Sequence, residues 1–381
     1  MASPVYFTSL RAGLENSLLT KIKRLALAAG LEKIVRKKGL TALKLHFGER
    51  GNTAFIRPLL VRPVVDALLE AGARPFITDA GTLYPGSRGN AVDHLNTAVL
   101  NGFAYPVIGA PLIIADGIDG RDEVAVQVNL KHFKEVFIGS AIIRADSLVS
   151  LAHFKLHENS GFGGAIKNIG MGTASRKGKM AQHSDVAPEV VSKQCIGCGV
   201  CLEQCAQDAI SLIERPPDIP APSDSVTKIM RIDQELCVGC ARCVHVCPQG
   251  AIAINWGKDL PKFMEKMVEY TAGALKGKEK RSIFINFLTQ ISPACDCYPF
   301  ADAPIVGDIG ITASVDPVAI DKACVDLVNS QPHLESSCLK GIEKPCADKI
   351  RAVYPHIDWE HQLIYASQLG IGSTEYELVE I

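Results

Sequence analysis

Two segments of this chain, CIGCGVCLEQCAQDAI and CVGCARCVHVCPQGAI, repeat the spacing C-x2-C-x2-C-x3-C, each cysteine of the second lying 42 residues after its counterpart. Three thiolates in one tight loop suit three corners of a four-iron cube, and the fourth, beyond a short helix, serves the other cube. The spacing therefore assigns Cys195, Cys198, Cys201 and Cys247 to one [4Fe-4S] cluster, and Cys237, Cys240, Cys243 and Cys205 to a second. Paired zinc sites are the alternative, but tetrahedral zinc leaves the third closely spaced cysteine of each run without a role. Ala206 stands where the second copy has Pro248, a change that removes no ligand.

A second constellation is SPACDCYPF, with Cys295 and Cys297 either side of Asp296. In an extended segment the two thiols project to one side and the aspartate to the other. They could be buried core thiols, a redox dithiol, or ligands of a third metal or cluster. The ligand reading accounts best for their presence in a chain whose eight cassette cysteines already saturate two clusters, with a third ligand expected from His153, His157 or Cys324. Cys324 itself falls on an apolar helical stripe, and Cys338 and Cys346 carry no clear role.

A third constellation is AHFKLHENSGFGGAIKNIGMGTASRKGKMAQH. It combines His153, Lys155, His157, Lys167 and His183 with glycines that let a backbone approach a ligand, among them Gly163 and Gly164. Catalytic work is expected of His153, His157, Lys167 and His183. Lys155, Gly163, Gly164 and Lys167 are expected to hold a cofactor or anionic substrate.

The elements that must position these groups read as α/β. TALKLHF, RPFITDAG, EVFIGSAI, ADSLVSLAHF and RSIFINFL read as strands, with helices at LVRPVVDALLEAG, DPVAIDKACVDLVN and DWEHQLIYASQLG. Asp316 and Asp358 are the expected helix caps, and Gly72 and Gly370 the expected stops; a ligand role for Asp321 has little behind it. The N-terminal region predicts one amphipathic helix from about Glu15 to Lys38. Strand–helix–strand spacing implies a mostly parallel sheet, with ligands at its carboxyl ends, where GERGNT, DAGTLYPGSRGN and HENSGFGGAIKN fall. Residues 188–256 interrupt this pattern. The expected organisation is a discontinuous α/β domain, 1–187 and 257–381, carrying an inserted α+β two-cluster ferredoxin-like domain, 188–256; the Pro-rich ERPPDIPAPSDS divides the insert as a surface loop.

The totals are compatible: 381 residues, 47% hydrophobic, 21% charged and a formal net charge of -1. That balance gives no pull towards nucleic acid or an anionic membrane. The absence of an apolar leader or spanning run predicts a cytoplasmic, reduced protein, so the 13 cysteines point to metal rather than disulfides.

The block 188–256 resembles bacterial two-cluster ferredoxins. LKLHFGERGNTAFIRP, HFKLHENSGFGGAIKN, PACDCYP and DIGITASVDPVAIDKA together resemble the domain-of-unknown-function family 362 over nearly the full length, a resemblance that implies an α/β fold with an iron–sulfur association. His157, Lys167 and His183, with GGAIKN around the lysine and GNTAFIRP and DAGTLYP upstream, are also similar to the lactate racemase family. That similarity implies Lys167 as tether of a nickel pincer nucleotide, His183 as nickel ligand and His157 as acid/base; Leu83 replaces a histidine of that family's GTH motif.

The resulting expectation is an iron–sulfur redox protein of anaerobic-type metabolism. Its two [4Fe-4S] clusters would feed electrons to a metal or cofactor site made by HFKLH, GGAIKN and CDC. A redox protein or a small-molecule substrate is the expected partner. A plain electron carrier and a nickel-dependent racemase or lyase are the alternatives.

Overall fold

The computed structural model describes residues 2–83, 86–183, 188–205, 207–237, 242–254, 259–343 and 346–381. Strands that end up covered on both faces are written as continuous apolar runs. Ser147–His153 and Ser282–Leu288 are buried at every position. They form the middle of an eight-stranded sheet. In chain order its strands are β1 (Ser3–Ser9), β2 (Leu40–Lys44), β3 (Arg74–Asp79), β4 (Leu112–Ile114), β5 (Ser147–His153), β6 (Ser282–Leu288), β7 (Gly310–Ser314) and β8 (Tyr376–Glu380). Their spatial order is β8-β1-β7-β6-β5-β2-β3-β4. β7 alone runs against the rest, antiparallel to both β1 and β6. The sheet is therefore mostly parallel, in a mixed α/β fold.

Alternation along β6 sorts its side chains between two cores. Ile283, Ile285 and Phe287 face one core with α1 (Leu18–Ala28) and α2 (Arg62–Glu70). Phe284 and Leu288 face the other. That second core is closed by α3 (Ala165–Gly170), α4 (Leu260–Leu275), α5 (Pro317–Ser330) and α6 (Glu360–Gln368). Burying each such large side chain contributes about 1.5–3 kcal/mol.

No strand of residues 189–253 joins the main sheet among the described residues. This segment pairs Glu189–Val190 with Ile252–Ala253, and Ile210–Glu214 with Lys228–Ile232. Short helices follow the cysteine loops at Val200–Glu203 and Arg242–Val246. The Pro-rich stretch is the loop of its hairpin.

Four local expectations are corrected. The predicted N-terminal helix is two, Leu18–Ala28 and Leu31–Ile34, because Gly30 takes a left-handed φ of 94° between them. Glu135–Gly139 pairs with Glu123–Gln127 in a separate hairpin outside the main sheet. Asp358 does not cap α6: Trp359 occupies that position without a side-chain bond, and Asp358 meets Arg351 instead. CDC is a turn rather than an extended run, closed by Tyr298 N–H donating to Cys295 O at 3.2 Å. Asp316 caps α5 as expected, its Oδ1 accepting from Val318 and Ala319 N–H, both at 2.9 Å, with Pro317 in the first turn.

Candidate functional site

Polar groups gather where the parallel strands end. Lys44 closes β2, Asp79 closes β3 and His153 closes β5. The CDC turn reaches the same edge just after β6, where Leu156 N–H donates to Ser292 O at 3.0 Å.

Asp296 holds this turn in place. It is 0% exposed; its Oδ1 accepts from His153 Nδ1 at 2.8 Å, and Lys155 Nζ lies 3.0 Å from Oδ2. Although burial opposes ionisation, His153 and Lys155 hold the Asp296 carboxyl well below its ordinary range. Glu49 N–H donates to its backbone carbonyl at 3.0 Å, and Asn52 Nδ2 donates to the carbonyls of Tyr298 and Phe300. The loop after β2 thus clamps the loop after β6.

With Asp296 turned inward, Cys295 and Cys297 share the other side, their sulfurs 2.9 Å apart. Cys295 is 2% exposed, whereas Cys297 is only partly covered. His46 Nε2 stands 3.5 Å from Cys297 Sγ. Because Gly48 N–H donates to His46 Nδ1 at 2.9 Å, the neutral ring carries its proton on Nε2, aimed at the sulfur. Lys167 Nζ donates to Cys295 Sγ at 3.6 Å. The hydrogen bond from Cys295, and then His46 and Lys167, carry Cys297 well below the ordinary thiol range, and Cys295 rises in return. Burial disfavours charge on Lys167, but the two cysteines together outweigh it and raise the ammonium.

The remaining expected site residues fall around this pair. Burial, with Lys167 next, keeps His157 well below its ordinary range and His183 down to about 3, so both rings are neutral. His157 Nδ1 accepts from Asn159 N–H at 3.1 Å, and His183 stacks on Phe263 with ring centroids 5.0 Å apart. His153 has no ring nitrogen left for proton transfer, since Nε2 lies 2.8 Å from Thr289 O. Lys155 is matched by Asp296. A Cβ on Gly163 would come within 3.1 Å of Lys167 Cδ, and one on Gly164 within about 2 Å of Asp321 Oδ1. These two glycines serve internal close packing. Asp321 caps α3 from outside, accepting from Ala165 and Ile166 N–H at 2.7 and 3.0 Å, and so orients the helix that carries Lys167.

Among the described residues, no group of three or more His, Cys, Asp and Glu side chains could hold a single metal ion. The third ligand expected beside Cys295 and Cys297 does not come from His153, nor from Cys324, which lies in the core against Thr312 and Asn286. The side chain that approaches is His46, which sequence reasoning did not select.

Also unselected was a buried charge network. Lys44 Nζ lies 3.0 Å from Asp79 Oδ1 and donates to Asn168 Oδ1 at 2.9 Å. Arg88 Nε bonds Glu49 Oε2 at 3.0 Å, and His94 Nε2 lies 3.5 Å from Asp79 Oδ2. Burial brings Lys179 beside it down to about 8. The available sequence signal was a single charged residue ending an otherwise apolar strand, as in TALK and PFITD.

The cysteine-rich segment contains two cavities. One, about 280 Å³ of space that is partly open to solvent, is lined by Cys195, Cys198, Cys201 and Cys247 with Val190, Ile196, Met230 and Ile252. The other, about 380 Å³, is lined by Cys205, Cys237 and Cys243 with Ala209, Ile210 and Ile232. Each brings a cysteine of one cassette into the loop of the other; Cys240 lies outside the described residues. Burial, then Cys247 and Cys198, push the Cys201 thiol up to about 11. This segment abuts the sheet edge through Leu83 and Met180, which share its core, and through Arg242, 3.1 Å from Asp119.

Fold and edge together define a mixed α/β protein with a thiol-bearing, largely buried polar cluster at the carboxyl ends of its parallel strands. Residues 41–326 match the family model described as Domain of unknown function (DUF362), and the chain belongs to that family. No curated protein matches it. Among solved structures it is similar to the lactate racemase apoprotein from Thermoanaerobacterium thermosaccharolyticum, at 13% identity and a TM-score of 0.38. The match covers 74% of this chain and 50% of that one, so this chain spans about half the length of that protein. No helix of the described residues is long and apolar enough to cross a membrane.

Proposed function

We propose that the protein is an iron–sulfur redox protein. Cys195, Cys198, Cys201 and Cys247 would hold one [4Fe-4S] cluster, and Cys205, Cys237, Cys240 and Cys243 the other, beside the thiol cleft of the α/β part. The observation that carries this reading is the lining of the two cavities, where sulfurs from both cassettes meet between apolar walls. The fit is chemical as well as spatial: all-thiolate donor sets select iron–sulfur clusters or zinc, and three cysteines in one tight loop with a fourth from the other cassette is the spacing of a cubane cluster. When bound, such clusters supply one-electron chemistry.

The chain's own groups do the rest. Leu83, Met180 and Arg242 hold the cysteine-rich segment against the sheet edge. Lys167 and His46 stabilise negative charge on the sulfur pair, and His157 and His183 present neutral rings to the cleft. A plain carrier would have no use for this second constellation.

A nickel-dependent racemase or lyase is the second reading, favoured by the convergence of Lys167, His157 and His183. Against it, the Lys167 amine is held as an ammonium beside Cys295, a poor state for a covalent tether. Intact-mass measurement decides it, since a tethered nucleotide would add mass at Lys167.

The main reading is tested by iron and sulfide analysis of protein purified without air. About eight iron per chain is expected from two cubane clusters. Colourless protein, or zinc in place of iron, overturns it.

A further inference from the structure

We propose that Cys295 and Cys297 form a thiol–disulfide exchange site, in which Cys297 attacks a low-molecular-weight organic disulfide and Cys295 resolves the mixed disulfide. The two thiols differ as the two roles require: Cys297 is partly open, whereas Cys295 is 2% exposed and lies 2.9 Å behind it. His46 aims Nε2–H at the open sulfur from 3.5 Å, and Lys167 stands 3.6 Å from the covered one. Donors so placed favour the thiolate, which is the attacking species in exchange. Asp296, locked by His153 and Lys155, keeps the turn from rotating either sulfur away. Just after Cys297 in the chain, the exposed rings of Tyr298 and Phe300, 5.5 Å apart, offer contact to an organic group. A core thiol looks different here: Cys324 is 0% exposed and bonded to Thr312.

The chemistry balances. The Cys297 thiolate attacks one sulfur of R–S–S–R′, forming Cys297–S–S–R and releasing R′S⁻. Cys295 loses its proton to R′S⁻ and attacks the Cys297 sulfur; the bond to R breaks and RS⁻ leaves, taking a proton from water. The substrate disulfide is reduced by two electrons to two thiols, and the cysteine pair is oxidised to a disulfide. Restoring the dithiol takes two electrons, delivered singly in two steps by a reductant of the iron–sulfur class, and two protons from water. This last clause alone rests on the cluster reading.

The test uses full-length protein purified without air and oxidised glutathione as the probe. Remaining thiols are alkylated, and peptides are mapped by mass. In the wild type a Cys295–Cys297 disulfide is expected, formed at least about tenfold faster than glutathione adds to the exposed Cys338. Cys295→Ser should accumulate glutathione on Cys297, and Cys297→Ser should carry none on Cys295. A wild type with both thiols still alkylatable, or no faster than Cys338, overturns the proposal, and this arm depends on no variant folding. Iron is measured on the same sample: a disulfide formed without iron removes only the cluster reading, and iron with unreacted thiols removes only this one.

Discussion

Lys155 Nζ lies 3.0 Å from Asp296 Oδ2, and the carboxylate at the centre of the CDC turn is closed off from water. Removing one partner of such a pair strands the other charge. Asp296→Leu should therefore cost about 3–5 kcal/mol in denaturant unfolding, and Lys155→Met added to it should recover part of the loss. A Lys155→Met effect that is the same with and without Asp296→Leu would show that the pair is not coupled.

Glu265 on α4 gathers Lys131 at 2.7 Å, His132 at 2.5 Å and His361 at 3.1 Å. Burial opposes ionisation, but these hydrogen bonds prevail and bring its carboxyl from 4.5 down to about 2. A depressed folded value means that the stabilisation is complete above the unfolded value and is lost as pH falls from 4.5 towards 2. Glu265→Gln should flatten the acid limb of stability in that window. An unchanged slope in pH-dependent thermal melts would contradict the assignment.

Gly164 and Asp321 form a fixed couple at the start of α3. Gly164→Ala drives a methyl into the carboxylate, and Asp321→Asn replaces an acceptor of two N–H groups. Each should cost about 1–3 kcal/mol and loosen Lys167. Alkylation of Cys297, followed by mass, should slow in both variants; an unaltered rate with reduced stability would confine Asp321 to a structural role.

The interleaved cavities give a prediction that simple cassettes would not. Cys247→Ser lies in the second cassette, yet should empty the cavity lined by the first and leave about four iron per chain. Electron paramagnetic resonance of the reduced variant should lose the coupling between two centres. Full loss of iron would point instead to collapse of the segment.

Leu83 is 1% exposed and packs in the same core as Cys195 and Cys201. Leu83→Ala should cost about 2–5 kcal/mol. Its effect should appear as faster proteolysis around residues 214–227, read by peptide mass, before any change in the main sheet.

Much of this architecture is written locally. β2, β3, β5 and β6 announce themselves as apolar runs, and Asp316–Pro317 marks the start of α5, because each depends on neighbours in sequence. What escaped depends on distance. β8 is an edge strand whose pairing with β1 joins Tyr376 to Ser3, and nothing in either stretch alone names the other. His46, Asp79, Arg88 and His94 are each unremarkable in sequence and become a set only where strand ends converge. For the CDC turn, the extended geometry from which the sidedness of the thiols was read is not the one observed, and the partners of Asp296 and the approach of His46 were not legible at all. The CDC stretch itself was too short to reveal that it turns.

The helix Arg176–His183 buries Met180 in the cysteine-rich core and, three residues later, sets His183 against Phe263 at the cleft. One rigid rod less than three turns long thus has a foot in each compartment. A substitution in this rod that repacks Met180 therefore also changes the footing of His183, so the two ends share one helix as their support.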